Sequence, residues 1–150
     1  MKPLIVLLVS FSIALVVTKF ALNNFDIALS GRIAMAIMLV FTSVAHFVFS
    51  KGMEMMIPPF VPYKKAMVYF TGIIEISAAV GLLIAEIRIL TAWLLILFFI
   101  LLLPANIYAA IKHVDYQKGT FEGSGVNYLW FRVPLQILFI VWTYFFAIRF

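Results

Sequence analysis

Five polar side chains stand inside hydrocarbon-rich stretches of this sequence: His46, Glu75, Asn106, Arg132 and Gln136. Together they supply a group that titrates near neutral pH, a carboxylate, a fixed cation and two amides. A glutamate left alone in a low-dielectric setting takes up a proton, because burial disfavours its charged form. Arg132 is its natural counter-ion by type, and His46 can share or relay the proton. Thr42 and His46, Thr71 and Glu75, and Arg132 and Gln136 are each four residues apart, so on helices each pair occupies one face. Turned inward, these faces make a polar pocket. His46 and Glu75 would handle protons, while Thr71, Asn106, Arg132 and Gln136 would meet the polar oxygen atoms of a ligand.

A plainer reading uses the same residues. Glu75 and Arg132 would be a structural ion pair between helices, Arg132 would snorkel to the headgroups, and His46 and the amides would be interhelical hydrogen bonds. Other chemistries find no support. With no cysteine, disulfides, thiolate catalysis and cysteine-ligated zinc or iron–sulfur centres are excluded within the chain. His46 is the one histidine within an apolar run and His113 lies just past another, a poor pair for haem. No metal site, P-loop, dinucleotide-binding glycine pattern or HExxH is present.

The elements that must position these groups are membrane-spanning helices. The chain is 66% hydrophobic and 11% charged, where a soluble domain carries about 25% charged residues. Its net charge of +5 is spread between apolar runs, which fits anchoring to the lipid bilayer rather than a nucleic-acid face. Five runs approach the length needed to cross ~30 Å of hydrocarbon at ~1.5 Å per residue: Pro3–Leu22, Ile27–Phe49, Ala66–Ile84, Ile89–Ile111 and Tyr128–Ile148. The expectation is an all-α, polytopic transmembrane bundle forming a single membrane domain over 1–150. The first run resembles a signal peptide, but TKFALNN has no small-x-small cleavage site, so it reads as a retained helix with Lys19 snorkelling.

The connectors NNFD and AEIR are short and imply antiparallel neighbours. SKGMEMMIPPFVPYKK is too interrupted by Pro58, Pro59 and Pro62 to be a helix and too apolar for an ordinary loop. Residues 51–63 therefore read as an interfacial or re-entrant lid, with Met55, Met56, Pro58 and Pro59 over the pocket and Lys64 and Lys65 at the headgroups. KHVDYQKGTFEGSGVN reads as a surface loop. Measured from the side bearing Lys51, Lys64 and Lys112, the depths are ~7 Å for His46 and Arg132, ~9 Å for Asn106, ~13 Å for Gln136 and ~15 Å for Glu75. All the strong polar groups thus sit in one half of the bilayer. In LLLPAN, Pro104 withholds a donor from the carbonyl of Ile100 and is expected to break the helix beside Asn106. The lysine distribution favours a cytoplasmic N-terminus. Small residues such as Ser77 and Gly81 would permit close helix packing, a homodimer included.

With these residues in place, the chain resembles the DoxX-like family of small bacterial membrane proteins. The resemblance rests on AHFVF, MEMMIPPFVPY, VYFTGIIEISAAVGLLI, LLPANIYAAI and LWFRVPLQ, in that order over about Gly31 to Tyr144. It implies a bacterial inner-membrane protein with a four-helix core, the first helix being an N-terminal addition. It also implies an accessory role in a membrane redox system, with a partner subunit and a quinone or other lipid-like ligand. No residue here carries electrons, so redox chemistry would come from the partner or the ligand. The alternatives are an autonomous lipid- or isoprenoid-binding protein, a proton-shuffling isomerase, and a non-enzymatic structural or assembly factor.

Overall fold

Pro3 at the first turn and an unbroken apolar run start α1, Lys2–Leu22, which ends where Asn23 takes a left-handed conformation (φ 53°). Only Leu7, Ala14 and Thr18 of α1 are buried, a single stripe at spacings of seven and four. That stripe lies along α2, Ile27–Val48, whose N-terminus is capped by the Asp26 carboxylate accepting from the Leu29 amide at 2.8 Å. α2 is the central helix. Its small residues Ser30, Gly31 and Ala34 are buried, and it packs along both α1 and α4. Thr18 and Ser30 place their hydroxyls 3.3 Å apart across the first of these seams.

A computed structural model describes residues 1–150, and they form an all-α protein of six helices. After α2 come the short α3, Ser50–Met55, then α4, Lys64–Gly81, and α5, Arg88–Ile111. A 3₁₀ turn, Gly125–Tyr128, leads into α6, Leu129–Thr143, which continues as a π-helical turn, Tyr144–Arg149. The C-terminal turn packs on α2 where Gly31 leaves room, since a Cβ on Gly31 would strike the Phe146 ring. Trp142 fastens the same contact by donating its indole N–H to the Gly31 carbonyl at 2.9 Å.

Only 33 of 150 residues are buried, and the exposed surface includes long series of leucine, isoleucine, valine and phenylalanine. Outward apolar faces around a small core are what a bundle solvated by lipid requires. Four helical stretches are long and apolar enough to cross a membrane: Lys2–Leu22, Ile27–Val48, Arg88–Ile111 and Gly125–Arg149. The expected fifth, Ala66–Ile84, differs in the structure. Its helix begins earlier, at Lys64, and stops at Gly81. With Lys64, Lys65 and Glu75 it holds three charges in 18 residues, and it spans ~27 Å against ~30 Å of hydrocarbon.

Two further expectations change. The MEMMIPPFVP segment is helical in its first part, and α3 presses on the loop after α5 so closely that a Cβ on Gly52 would meet the Tyr116 carbonyl. That loop is folded rather than a plain surface excursion. The Asp115 amide donates to the Thr120 carbonyl at 2.8 Å, Asp115 Oδ1 accepts from the amides of Gln117 and Lys118, and the Gly123 amide donates to the His113 carbonyl at 2.7 Å. Ser77 and Gly81 also part company: Ser77 is exposed, whereas Gly81 is buried against Thr91 of α5.

Candidate intramembrane site

α2 and α4 come close together at Gly72, where an added Cβ would fall 2.9 Å from the Cβ of His46. Without a side chain there, the two backbones come together and place His46 against Glu75. His46 Nε2 stands 3.5 Å from Glu75 Oε2, the one ion-pair contact in the protein. Thr42, one turn along α2, donates to the same Oε2 at 3.0 Å and also lies 3.0 Å from the Leu39 carbonyl. The Glu75 residue is only 5% exposed.

The histidine's tautomer follows from its other nitrogen. Nδ1 lies 3.0 Å from the Val68 carbonyl and 3.0 Å from the Thr71 hydroxyl. The carbonyl only accepts, and Thr71 has carbonyls of Met67 and Val68 at 3.0 and 2.9 Å to receive its own proton. Nδ1 therefore carries the hydrogen, and Nε2 faces Glu75. One further proton then satisfies the pair, whether it sits on Nε2 as imidazolium or on the carboxyl. Thr42 suits either state, since it donates to a carboxylate and accepts from a carboxylic acid while donating to Leu39. With that proton between them, no polar atom of the pair is left without a partner.

Across the bundle, α5 and α6 form a second chain of polar contacts. Arg132 Nη2 donates to Asn106 Oδ1 at 3.0 Å, Asn106 Nδ2 donates to Gln136 Oε1 at 3.0 Å, and Gln136 Nε2 donates to the Phe99 carbonyl. Asn106 and Gln136 are each only 7% exposed. The chain ends on α5 close to its proline. The helix is not broken at Pro104 but runs continuously from Arg88 to Ile111. Gln136 donates to the Phe99 carbonyl, next to the Ile100 carbonyl that Pro104 leaves without its helical donor, and so ties α6 to α5 at this turn.

The expected Glu75–Arg132 ion pair does not form. Glu75 is held by Thr42 and His46, and Arg132 by Asn106. The helical rise accounts for this, since Arg132 and Glu75 lie ~8 Å apart in depth, about five residues along a helix. They meet instead as parts of one wall. His46, Glu75, Asn106, Arg132 and Gln136 all line a cavity of about 350 Å³, together with Thr42 and a mainly apolar set that includes Phe41, Phe99, Leu102 and Phe139. That volume falls within the ~300–1,000 Å³ of small-molecule sites.

Not every expected residue reaches the cavity. Thr71 stands behind His46 and fixes its ring rather than facing a ligand. Of the lid residues, Met56 lines the cavity, joined by Met53 and Ile57, while Met55, Pro58 and Pro59 do not. Lys64 folds back to donate to the Ile57 carbonyl at 3.0 Å, closing the lid's turn. Tyr116 and Gln117 of the loop, and Lys2 and Pro3 of α1, line the cavity without having stood out in the sequence. Nothing in their spacing marks them, because they arrive through the loop's turns and the α1–α2 crossing. The α-amino group of Met1 lies at this end, held below its ordinary pKa by burial first and then by the positive fields of Arg132 and Lys2. No group of three or more histidines and acids forms a metal site.

The fold and site define an all-α protein whose four long apolar helices suggest an integral membrane protein, with a polar cavity inside the bundle. The chain belongs to a family described as a domain of unknown function, DUF8561, whose model matches residues 35–147. The match leaves α1 outside and contains His46, Glu75, Asn106, Arg132 and Gln136. No curated protein and no solved structure matches the chain.

Proposed function

We propose that this protein binds a quinone or another lipid-like molecule in its intramembrane cavity, as an accessory component of a membrane redox system. The observation that carries the reading is that two separate hydrogen-bonded clusters face a single cavity. A bundle that needed only helix-to-helix bonding would have no use for about 350 Å³ of space between them. The ligand's polar oxygens meet Asn106, Arg132 and Gln136, the His46–Glu75 pair supplies or takes a proton, and apolar portions lie along Phe41, Phe99, Leu102 and Phe139. With no electron carrier among its side chains, the protein leaves oxidation and reduction to its ligand and a partner subunit.

In this reading α4 completes five spans around the site, in a bacterial inner membrane with a cytoplasmic N-terminus. The likeness of AHFVF, LLPANIYAAI and LWFRVPLQ to DoxX-like proteins supports the redox setting. A second reading is an autonomous proton-shuffling isomerase, favoured by the one-proton geometry of His46 and Glu75. The test is mass spectrometry of small molecules extracted from the protein in native-lipid discs, beside a Glu75→Gln, Arg132→Gln double variant. Enrichment of a quinone or isoprenoid in the wild type alone supports the proposal. A folded protein with no molecule enriched over bulk lipid refutes it and leaves the polar clusters a purely structural role.

A further inference from the structure

The cavity has a neighbour. A second chamber of about 390 Å³ lies on its loop side, walled by Asp115–Gln117, Gly123–Gly125 and Tyr128. The two adjoin along a shared wall that includes Lys2, Met56, Asn106, Tyr116, Gln117 and Arg132. Their characters differ: the inner chamber is lined mainly by aromatic and aliphatic side chains, the outer one by a more even mixture of polar and apolar residues.

Charge along the shared wall is one-sided. Lys2 and Arg132 line both chambers and neither forms an ion pair. The carboxylates facing the same space are already engaged. Glu75 is held by Thr42 and His46, and Asp115 Oδ1 by the amides of Gln117 and Lys118. Arg132 uses Nη2 on Asn106 and keeps its other N–H groups. The Met1 ammonium, lowered by both cations, reports the same positive field. An uncompensated, half-buried Arg132 beside a low-dielectric cavity is costly, and an anion brought to it removes that cost, with the exposed Lys2 adding its positive field at the same wall.

We propose that the natural occupant is an anionic amphiphile, with a carboxylate or phosphate head at the Lys2–Arg132 wall and an apolar chain in the inner chamber. This rests on the cavity being a lipid-like site and narrows its ligand class, because a neutral quinone would leave the half-buried Arg132 without a counter-charge. Charge-assisted hydrogen bonds from an arginine to such a head favour it over a neutral end of the same chain by about tenfold.

The experiment places the full chain in discs of neutral phosphatidylcholine and measures binding of a fluorescent polyene fatty acid, the matching polyene alcohol and inorganic phosphate, with protein-free discs as baseline. The expected result is about tenfold tighter binding of the acid than of the alcohol. Lys2→Gln and Arg132→Gln should each narrow that gap by weakening the acid more than the alcohol, and Lys2→Gln, outside the Asn106–Arg132–Gln136 cluster, should leave the alcohol's affinity unchanged. Lys2 is exposed at the start of α1, so its variant carries the test even if Arg132→Gln fails to fold. Equal affinities for acid and alcohol overturn the anionic class but keep the lipid site. Displacement of the acid by inorganic phosphate assigns the wall to a free anion and overturns the amphiphile. No binding of either chain above baseline overturns the lipid site itself.

Discussion

Gly72→Ala should damage the site without touching any of its polar groups. The new methyl would fall 2.9 Å from the His46 Cβ and 3.2 and 3.3 Å from two ring atoms of Phe47. Carbon atoms settle at ~3.5–4.0 Å. The Phe47 ring can turn aside, but the His46 Cβ is fixed to the α2 backbone. The helices must therefore separate by ~0.5–1 Å at this point, and overpacking of this kind costs ~1–3 kcal/mol. Separation acts directly on the interhelical contacts one turn away. Thr42 Oγ1 to Glu75 Oε2, now 3.0 Å, passes beyond hydrogen-bond range, and the His46–Glu75 approach of 3.5 Å opens further. The assay is thermal unfolding in a fixed detergent, with the imidazole chemical shifts of His46 compared between the two proteins at one pH. Expected are a lower midpoint and displaced His46 resonances in the folded state. A Gly72→Ala variant with wild-type stability and unchanged His46 resonances would refute the close-approach account of how the pair is positioned.

Glu75→Gln should keep the Thr42 contact and fold within ~1 kcal/mol of wild type, read by denaturant unfolding. Gln136→Leu removes the acceptor of Asn106 and the donor to the Phe99 carbonyl. It should cost ~1–3 kcal/mol in denaturant unfolding, with each membrane hydrogen bond worth ~0.6–1.7 kcal/mol. Gly52→Ala would drive a methyl onto the Tyr116 carbonyl, so the loop at 112–124 should lose its register. Faster proteolysis within that loop, with the helices still protected, is the expected signature.

Much of this architecture is legible in the sequence, because lipid solvation writes it in bulk composition. The limits of α1, α2 and α5 agree with the apolar runs to within a residue or two. The gathering of His46, Glu75, Asn106, Arg132 and Gln136 also follows from depth alone, since helices of known rise put like-numbered turns at like levels. Depth does not fix partners, however. Charge alone matches Arg132 to Glu75, whereas Asn106 lies nearer its own level and takes the contact. Pro104 reads as a break because the sequence shows the donor it lacks and not the packing that carries α5 on unbroken from Arg88 to Ile111. Gly72 is unremarkable in VYFTGIIEIS, and only the crossing of α2 and α4 makes its missing Cβ matter. Tyr116 and Gln117 reach the cavity through a loop held by its own backbone hydrogen bonds, which no periodicity records.

The central claim is that a lipid-like molecule occupies the space between the two polar clusters, rather than merely coating the bundle. Photolabelling tests it most directly, using a diazirine-bearing isoprenoid or fatty acid in membranes and peptide mass spectrometry to locate the adducts. The account predicts labelling of the cavity-lining Met38, Phe99, Leu102 and Phe139, competed away by excess unlabelled ligand. Adducts confined to outward residues such as Ile37, Ile100 and Leu101, indifferent to competitor, would contradict it.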